Sequence, residues 1–286
     1  MAQKESKSQE MNLTKRLSVC GAAPRRKSAE LIKNGCVTVN GEVQTNPATI
    51  VTMKDKVCLN GKPVNKLPTH VYIMLNKPRG YVCTNSDPHA KKRALDLINL
   101  KQELRLFSCG RLDKDSEGLI LFTNDGEFAD RITHPGNGVF KTYAISVEHP
   151  FTSAELKQMC SGITHEGETL HAEDIYQTGP RKYLIVLMEG KNREIRRMVE
   201  YLGNEVNRLE RVVIGNLKRG LLKPGQWRFM SKKDIALALN VEIDDPEMRR
   251  FPPDLLRNQL KTGTPNATFC KKKTVPLRKK GERNNE

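Results

Sequence analysis

The stretch Cys109-Gly110-Arg111-Leu112-Asp113-Lys114-Asp115-Ser116-Glu117-Gly118-Leu119-Ile120-Leu121-Phe122-Thr123-Asn124-Asp125-Gly126 decides the reading of this chain. Acids, bases and glycines crowd into a loop that runs straight into Leu119–Phe122, an apolar run of strand length. Asn124-Asp125-Gly126 stops that strand, and Phe128 and Ile132 then recur at helical spacing. A charged loop pinned ahead of a buried strand is a place to hold one carboxylate rigidly. A calcium loop would use Asp113, Asp115, Glu117 and Gly118, but Asn124 stands where such a loop needs a bidentate Glu. Asp113 and Asp115 are too near in sequence to flank a sugar readily as a glycosidase pair. A single catalytic carboxylate and a solvated acidic turn both remain open.

Gly110-Arg111-Leu112-Asp113, with Ser116-Glu117-Gly118-Leu119 and Thr123-Asn124-Asp125-Gly126, resembles the signature of the pseudouridine synthases. More narrowly, it is similar to the ribosomal-RNA branch that includes RsuA, RluB, RluE and RluF. The resemblance implies that Asp113 is the catalytic residue and Asp115 only its neighbour.

The 286 residues are enough for two domains plus tails. A formal net charge of +16 favours a polyanionic partner. No apolar run approaches membrane-spanning length and Met1–Ser6 has no signal-peptide character, so a soluble, cytoplasmic protein is expected. Seven cysteines without a C-x-x-C pair and six scattered histidines argue against a disulfide framework or structural zinc.

Residues 1–10 read as a loose tail. Leu13 to Leu17 carries Lys15 and Arg16. Pro24 can open a helix in its first position, followed by Arg25-Arg26-Lys27 and closed by Gly35. Asn40-Gly41 and Asn60-Gly61, each between short apolar runs, mark tight hairpins. Over residues 11–66 this layout resembles the RNA-binding module of ribosomal protein S4, which sets Arg25, Arg26 and Lys27 against RNA backbone.

After a linker, Val71–Leu75 is a strand and Asn76-Lys77-Pro78-Arg79-Gly80 a Pro/Gly turn that resembles another motif of the family, with Lys77 available to phosphate. Val139–Val147 alternates, so Lys141, Tyr143, Ile145 and Val147 share a face. Lys141-x-Tyr143 resembles the family's second motif, which implies Tyr143 in the active site, stacked on uracil. A helix over 193–202 puts Ile195, Met198, Val199 and Leu202 in one stripe, Arg193 and Arg197 opposite it and Arg196 at its flank. The third motif implies that Arg196 salt-bridges Asp113; Arg193-Glu194 departs from the His-Gln usual there. Arg208–Gly215 resembles the fourth motif and implies Leu209 packed against the base.

The expected fold is α+β: an S4-like module, then a catalytic domain over 69–245 on a mixed, mostly antiparallel sheet. Beyond it, residues 247–286 hold eleven Lys and Arg against four Asp and Glu, a disordered basic arm in character. The implied activity is isomerisation of a uridine in RNA, in rRNA or a pre-ribosomal particle or tRNA, by a monomer. Lys114-Asp115-Ser116 is similar to the RluF type, which leans towards large-subunit rRNA. Arg111, Arg193 and Arg197, with Lys15, Arg16, Arg25, Arg26, Lys27 and Lys77, are the expected RNA contacts. No metal or cofactor is called for, because the substrate carries both pieces and no redox change occurs. A silent RNA-binding factor of the same fold and a metal-dependent hydrolase using Asp113 and Asp115 are the competing readings.

Overall fold

The computed structural model describes residues 10–64, 69–84, 91–100, 104–245 and Met248. The expected tails fall outside the described residues apart from Glu10 and Met248; of the linker expected over 62–68, residues 65–68 also fall outside, and Lys62–Pro63 forms a paired strand instead.

The N-terminal unit runs β1 (Met11–Asn12), α1 (Leu13–Val19), α2 (Arg25–Lys33), β2 (Val37–Val39), β3 (Glu42–Gln44), β4 (Ile50–Val51), β5 (Val57–Leu59) and β6 (Lys62–Pro63). The Asn12 side chain caps α1 by accepting from the Lys15 amide at 2.8 Å. Pro24 is the N-cap of α2 rather than its first residue. Asn40-Gly41 and Asn60-Gly61 each have two consecutive positive φ angles, which tight hairpins demand. The sheet order is β3-β2-β5-β6, and Leu13, Leu17, Ile32, Val37, Val51 and Val57 fill the space beneath it.

The second unit contains β7 (Tyr72–Lys77), β8 (Phe107–Cys109), β9 (Glu117–Thr123), α3 (Gly126–Thr133), β10 (Lys141–Val147), α4 (Ser153–Ser161), β11 (Ile163–His165) and β12 (Glu168–Leu170). It continues with β13 (Asp174–Gly179), β14 (Lys182–Leu187), α5 (Glu194–Tyr201), β15 (Val206–Ile214), β16 (Leu217–Lys218), β17 (Trp227–Phe229) and α6 (Lys232–Leu239). A nine-stranded sheet is ordered β13-β14-β10-β15-β9-β7-β17, with β16 beside β15 and β8 beside β9. Its ladders are antiparallel except β9–β15, so the fold is α+β on a mixed, mostly antiparallel sheet.

Both faces of the central strands are buried, which is why β7 and β9 read as continuous apolar runs. Ile73, Leu75, Ile120 and Phe122 join Met159 of α4 and Ile195, Met198 and Val199 of α5. Met74, Leu119 and Leu121 join Phe128 and Ile132 of α3 and Ile235 and Leu239 of α6. Thr152 and Ser231 close capping boxes on α4 and α6.

Two local features differ from the sequence expectation, and both set the site. Strand β9 begins at Glu117, and its Gly118 pairs with Arg211 across the parallel ladder of the nine-stranded sheet. Gly118 has φ +105°, and a Cβ there would lie 2.3 Å from the Arg211 carbonyl oxygen, so only glycine lets the two strands meet. Helix α5 begins at Glu194, because Arg193 takes a left-handed conformation at φ 49°, ψ 32°. Arg193 therefore leaves the helical face assigned to it. No described helix is long and apolar enough to cross a membrane.

Candidate active site and RNA-facing surface

Asp113 sits in the turn between β8 and β9, with its side chain one-third exposed. The backbone of that turn is anchored from several elements at once. The Arg111 carbonyl accepts from Arg211 Nη1 at 3.5 Å, and the Asp113 carbonyl from the Ser116 amide at 3.1 Å. The Lys114 carbonyl accepts from the Gly80 amide at 2.7 Å, and the Asp115 carbonyl from Arg196 Nη2 at 3.4 Å. The Ser116 carbonyl accepts from Lys77 Nζ at 2.6 Å. A loop held this way presents the Asp113 carboxylate at a fixed place, which is what preorganised chemistry requires.

The cleft beside Asp113 has a volume of about 400 Å³ and is lined in part by Tyr143, Leu187, Ile195 and Leu209. Alternation along β10 turns Lys141 and Tyr143 to the same face. Arg211 lies directly across from Tyr143 on β15, and Leu209 across from Ile145. Tyr143 is buried, and its hydroxyl lies 3.5 Å from Arg211 Nη1, whose guanidinium carbon is 6.0 Å from the ring centre. The structure thus brings Asp113, Tyr143 and Leu209, which the motifs picked out, around one cavity.

Arg196 stands differently from the expectation. It donates to the carbonyls of Val206 at 3.3 Å and Asp115 at 3.4 Å. Among the described residues, the cation in ion-pair range of Asp113 is Arg193, 3.9 Å from Oδ2. The left-handed turn at Arg193 swings that side chain to the cleft mouth, while α5 commits Arg196 to the loop backbone.

Three expected RNA contacts are also corrected. Arg16 is 1% exposed, on the face of α1 that carries Leu13 and Leu17, and donates to the Met53 sulfur. Lys77 is fully buried behind the Asp113 loop. Arg197 is tied to the β11–β12 hairpin through Glu168, Glu166 at 3.3 Å and the His165 carbonyl at 3.1 Å. Burial or pairing removes all three from phosphate. Arg25, Arg26 and Lys27 are exposed at the start of α2, Arg111 is exposed beside the cleft, and Lys15 is half-buried in a 3.3 Å pair with Glu127.

Lys141 and Arg211 lie inside the second and fourth motifs, which imply no role for either, yet both belong to the site. Lys141 is 8% exposed and lines the cleft. Burial, followed by the nearby Arg211 charge, pulls its ammonium down to about 8. Arg211 is 4% exposed and donates through Nε to the Leu119 carbonyl at 2.8 Å, while its buried Nη2 has no hydrogen-bond partner among the described residues. The available signal was an ionisable residue inside an otherwise apolar alternation, on the face that carries Tyr143.

The family model described as RNA pseudouridylate synthase matches residues 71–201, and the S4 domain model matches residues 11–57. An Aquifex aeolicus protein named as an uncharacterized RNA pseudouridine synthase is 38% identical, over 79% of this chain and 93% of its own. Ribosomal large subunit pseudouridine synthase B of Bacillus subtilis is 36% identical, over 78% of this chain and 93% of its own. The dual-specificity RNA pseudouridine synthase RluF of Escherichia coli is 34% identical, over 79% and 77%. A solved pseudouridylate synthase structure superposes with a TM-score of 0.60 at 26% identity, covering 80% of this chain and 99% of its own. With an S4 domain followed by the synthase fold, the chain belongs to the RNA pseudouridine synthases, isomerases that act on RNA.

Proposed function

We propose that the protein converts a specific uridine of large-subunit (23S) ribosomal RNA into pseudouridine, with tRNA as a second candidate substrate. The observation that carries the reading is the rigidly anchored Asp113 facing a cleft of about 400 Å³, with room for a flipped-out nucleotide and with Tyr143 and Leu209 in its walls. The relatives named for ribosomal large subunit and dual-specificity activity support the choice of RNA.

The uridine must leave its stack to reach Asp113. There the N1–C1′ bond breaks, the uracil turns, C5 bonds to C1′, C5 loses its proton and N1 gains one. Asp113 acts on the ribose side as nucleophile or base. Tyr143 stacks on the base and sits within reach of the C5 proton, and Leu209 packs beside it. Arg193 holds the ionised carboxylate and meets phosphate at the cleft mouth. Arg196 and Lys77 act one step back, by fixing the loop that presents Asp113.

In this reading residues 11–66 hold RNA through Arg25, Arg26 and Lys27, residues 69–245 do the chemistry, and the basic stretch from 246 adds salt-sensitive affinity. The protein works as a cytoplasmic monomer on rRNA or a pre-ribosomal particle. Pseudouridine mapping by carbodiimide-dependent reverse-transcription stops, in cells with and without the gene, tests it. One stop lost and restored by the wild-type gene names the target; an unchanged map contradicts the reading.

A further inference from the structure

The cleft holds more positive donor capacity than its own fold uses. Arg211 Nη2 is buried with no hydrogen-bond partner among the described residues, in a residue 4% exposed. Lys141, 8% exposed, directs three N–H groups from Nζ, and its hydrogen bond among the described residues is one long contact of 3.4 Å to the Met188 carbonyl. A buried donor without a partner costs stability, on the order of 1–3 kcal/mol. An ammonium on an inward-facing strand position costs more still unless something answers it. Among the described residues neither is paired with a carboxylate: Asp113 has Arg193 beside it, the Glu189 carboxylate is taken by Lys191 at 2.5 Å, and Glu194, which also lines the cleft, accepts from the Lys191 amide at 3.0 Å. Both cations flank Tyr143, the surface on which the base is expected to stack, because Lys141 shares its strand face and Arg211 is its cross-strand partner.

We infer that Lys141 and Arg211 Nη2 donate to the carbonyl oxygens of the target uracil and hold the negative charge it carries while detached from the ribose. The inference rests on the synthase reading and assigns the charge-stabilising groups of its central step. When N1–C1′ breaks, the electron pair stays with the uracil ring and spreads onto O2 and O4, and the Asp113 carboxylate answers the electron deficit on the sugar. Once C5 has bonded to C1′, C5 gives up its proton, N1 takes one, and the ring is neutral again. Two fixed donors serve the ring before and after it turns, because O2 and O4 flank N3 symmetrically. Donors poised where charge develops, in a site closed to water, act mainly on the transition state.

The test is single-turnover pseudouridine formation with saturating RNA from cells lacking the gene, for wild type, Lys141→Met and Lys141→Gln. Filter binding and thermal unfolding of the same proteins complete it. The expected result for Lys141→Met is a rate loss of about a hundredfold, RNA affinity within about threefold, and a melting temperature equal to or above wild type. Lys141→Gln, which keeps a donor but not the charge, falls between them. A rate loss below roughly tenfold, or a loss that tracks a lowered melting temperature, overturns the inference. An active wild type with an equally active Lys141→Met defeats only this inference; an inactive wild type defeats the synthase reading as well.

Discussion

Arg193 Nη1 stands 3.9 Å from Asp113 Oδ2, whereas Arg196, three residues further on, spends its guanidinium on the carbonyls of Asp115 and Val206. The two arginines should therefore fail differently. Arg193→Gln removes a half-exposed pair worth about 0–1 kcal/mol, so stability should hold while turnover falls. Arg196→Gln strips charged donors from two carbonyls, a loss of about 1–3 kcal/mol, and should lower melting temperature and turnover together. Calorimetry beside single-turnover rates distinguishes them; equal melting temperatures for both variants would remove Arg196 from its loop-holding role.

Gly118→Ala should be among the most damaging single-methyl changes in the chain. The added carbon meets the Arg211 carbonyl at 2.3 Å in a left-handed backbone, and no flexible side chain can give way. A cost of about 3 kcal/mol or more is expected, from strain and from separation of β9 and β15. Chemical denaturation measures it. A loss under about 1 kcal/mol would mean that the parallel contact is softer than the geometry says.

The buried Lys141 ammonium gives stability a definite pH sign. Its pKa is drawn from 10.5 down to about 8 in the folded protein, so between those values the unfolded chain binds the extra proton. The contribution of Lys141 to stability therefore rises as pH goes from about 8 towards 10.5. Relative to Lys141→Met, wild type should gain melting temperature between pH 8 and roughly 9.5, within that window. A constant difference across the range would show the ammonium is not desolvated.

Replacing Arg25, Arg26 and Lys27 together by Gln should weaken RNA binding without changing the rate at saturating RNA. Each lost phosphate contact should flatten the dependence of log affinity on log salt by about 0.7–0.9. Filter binding over a salt series reads the slope. An unchanged slope would leave the start of α2 as a solvated helix end.

Much of this arrangement is written locally. Asn40-Gly41 and Asn60-Gly61 announce hairpins because their backbone angles leave few other residues. The Thr152 and Ser231 capping boxes mark helix starts by self-contained hydrogen bonds. The alternation of β10 correctly places Lys141 and Tyr143 on one side. What local pattern could not show was set by tertiary contact or by one dihedral. The left-handed Arg193 undid a helical-wheel argument that assumed α5 began one residue earlier. Arg16 and Lys77 look like surface cations in sequence, yet Met53 and the Ser116 carbonyl, distant along the chain, receive them inside. Arg211 carries no mark of its own inside the fourth motif, because its value lies in Tyr143 of the strand it faces.

The most direct test of the account is tritium release from RNA labelled at uridine C5, comparing wild type with Asp113→Asn. The substitution keeps the shape of the loop and removes the carboxylate charge. The account predicts release by wild type, release at background for Asp113→Asn, and RNA affinity within about threefold of wild type. Continued release by Asp113→Asn at a comparable rate would contradict it, because the loop held by Lys77, Arg196 and Arg211 would then present no catalytic group.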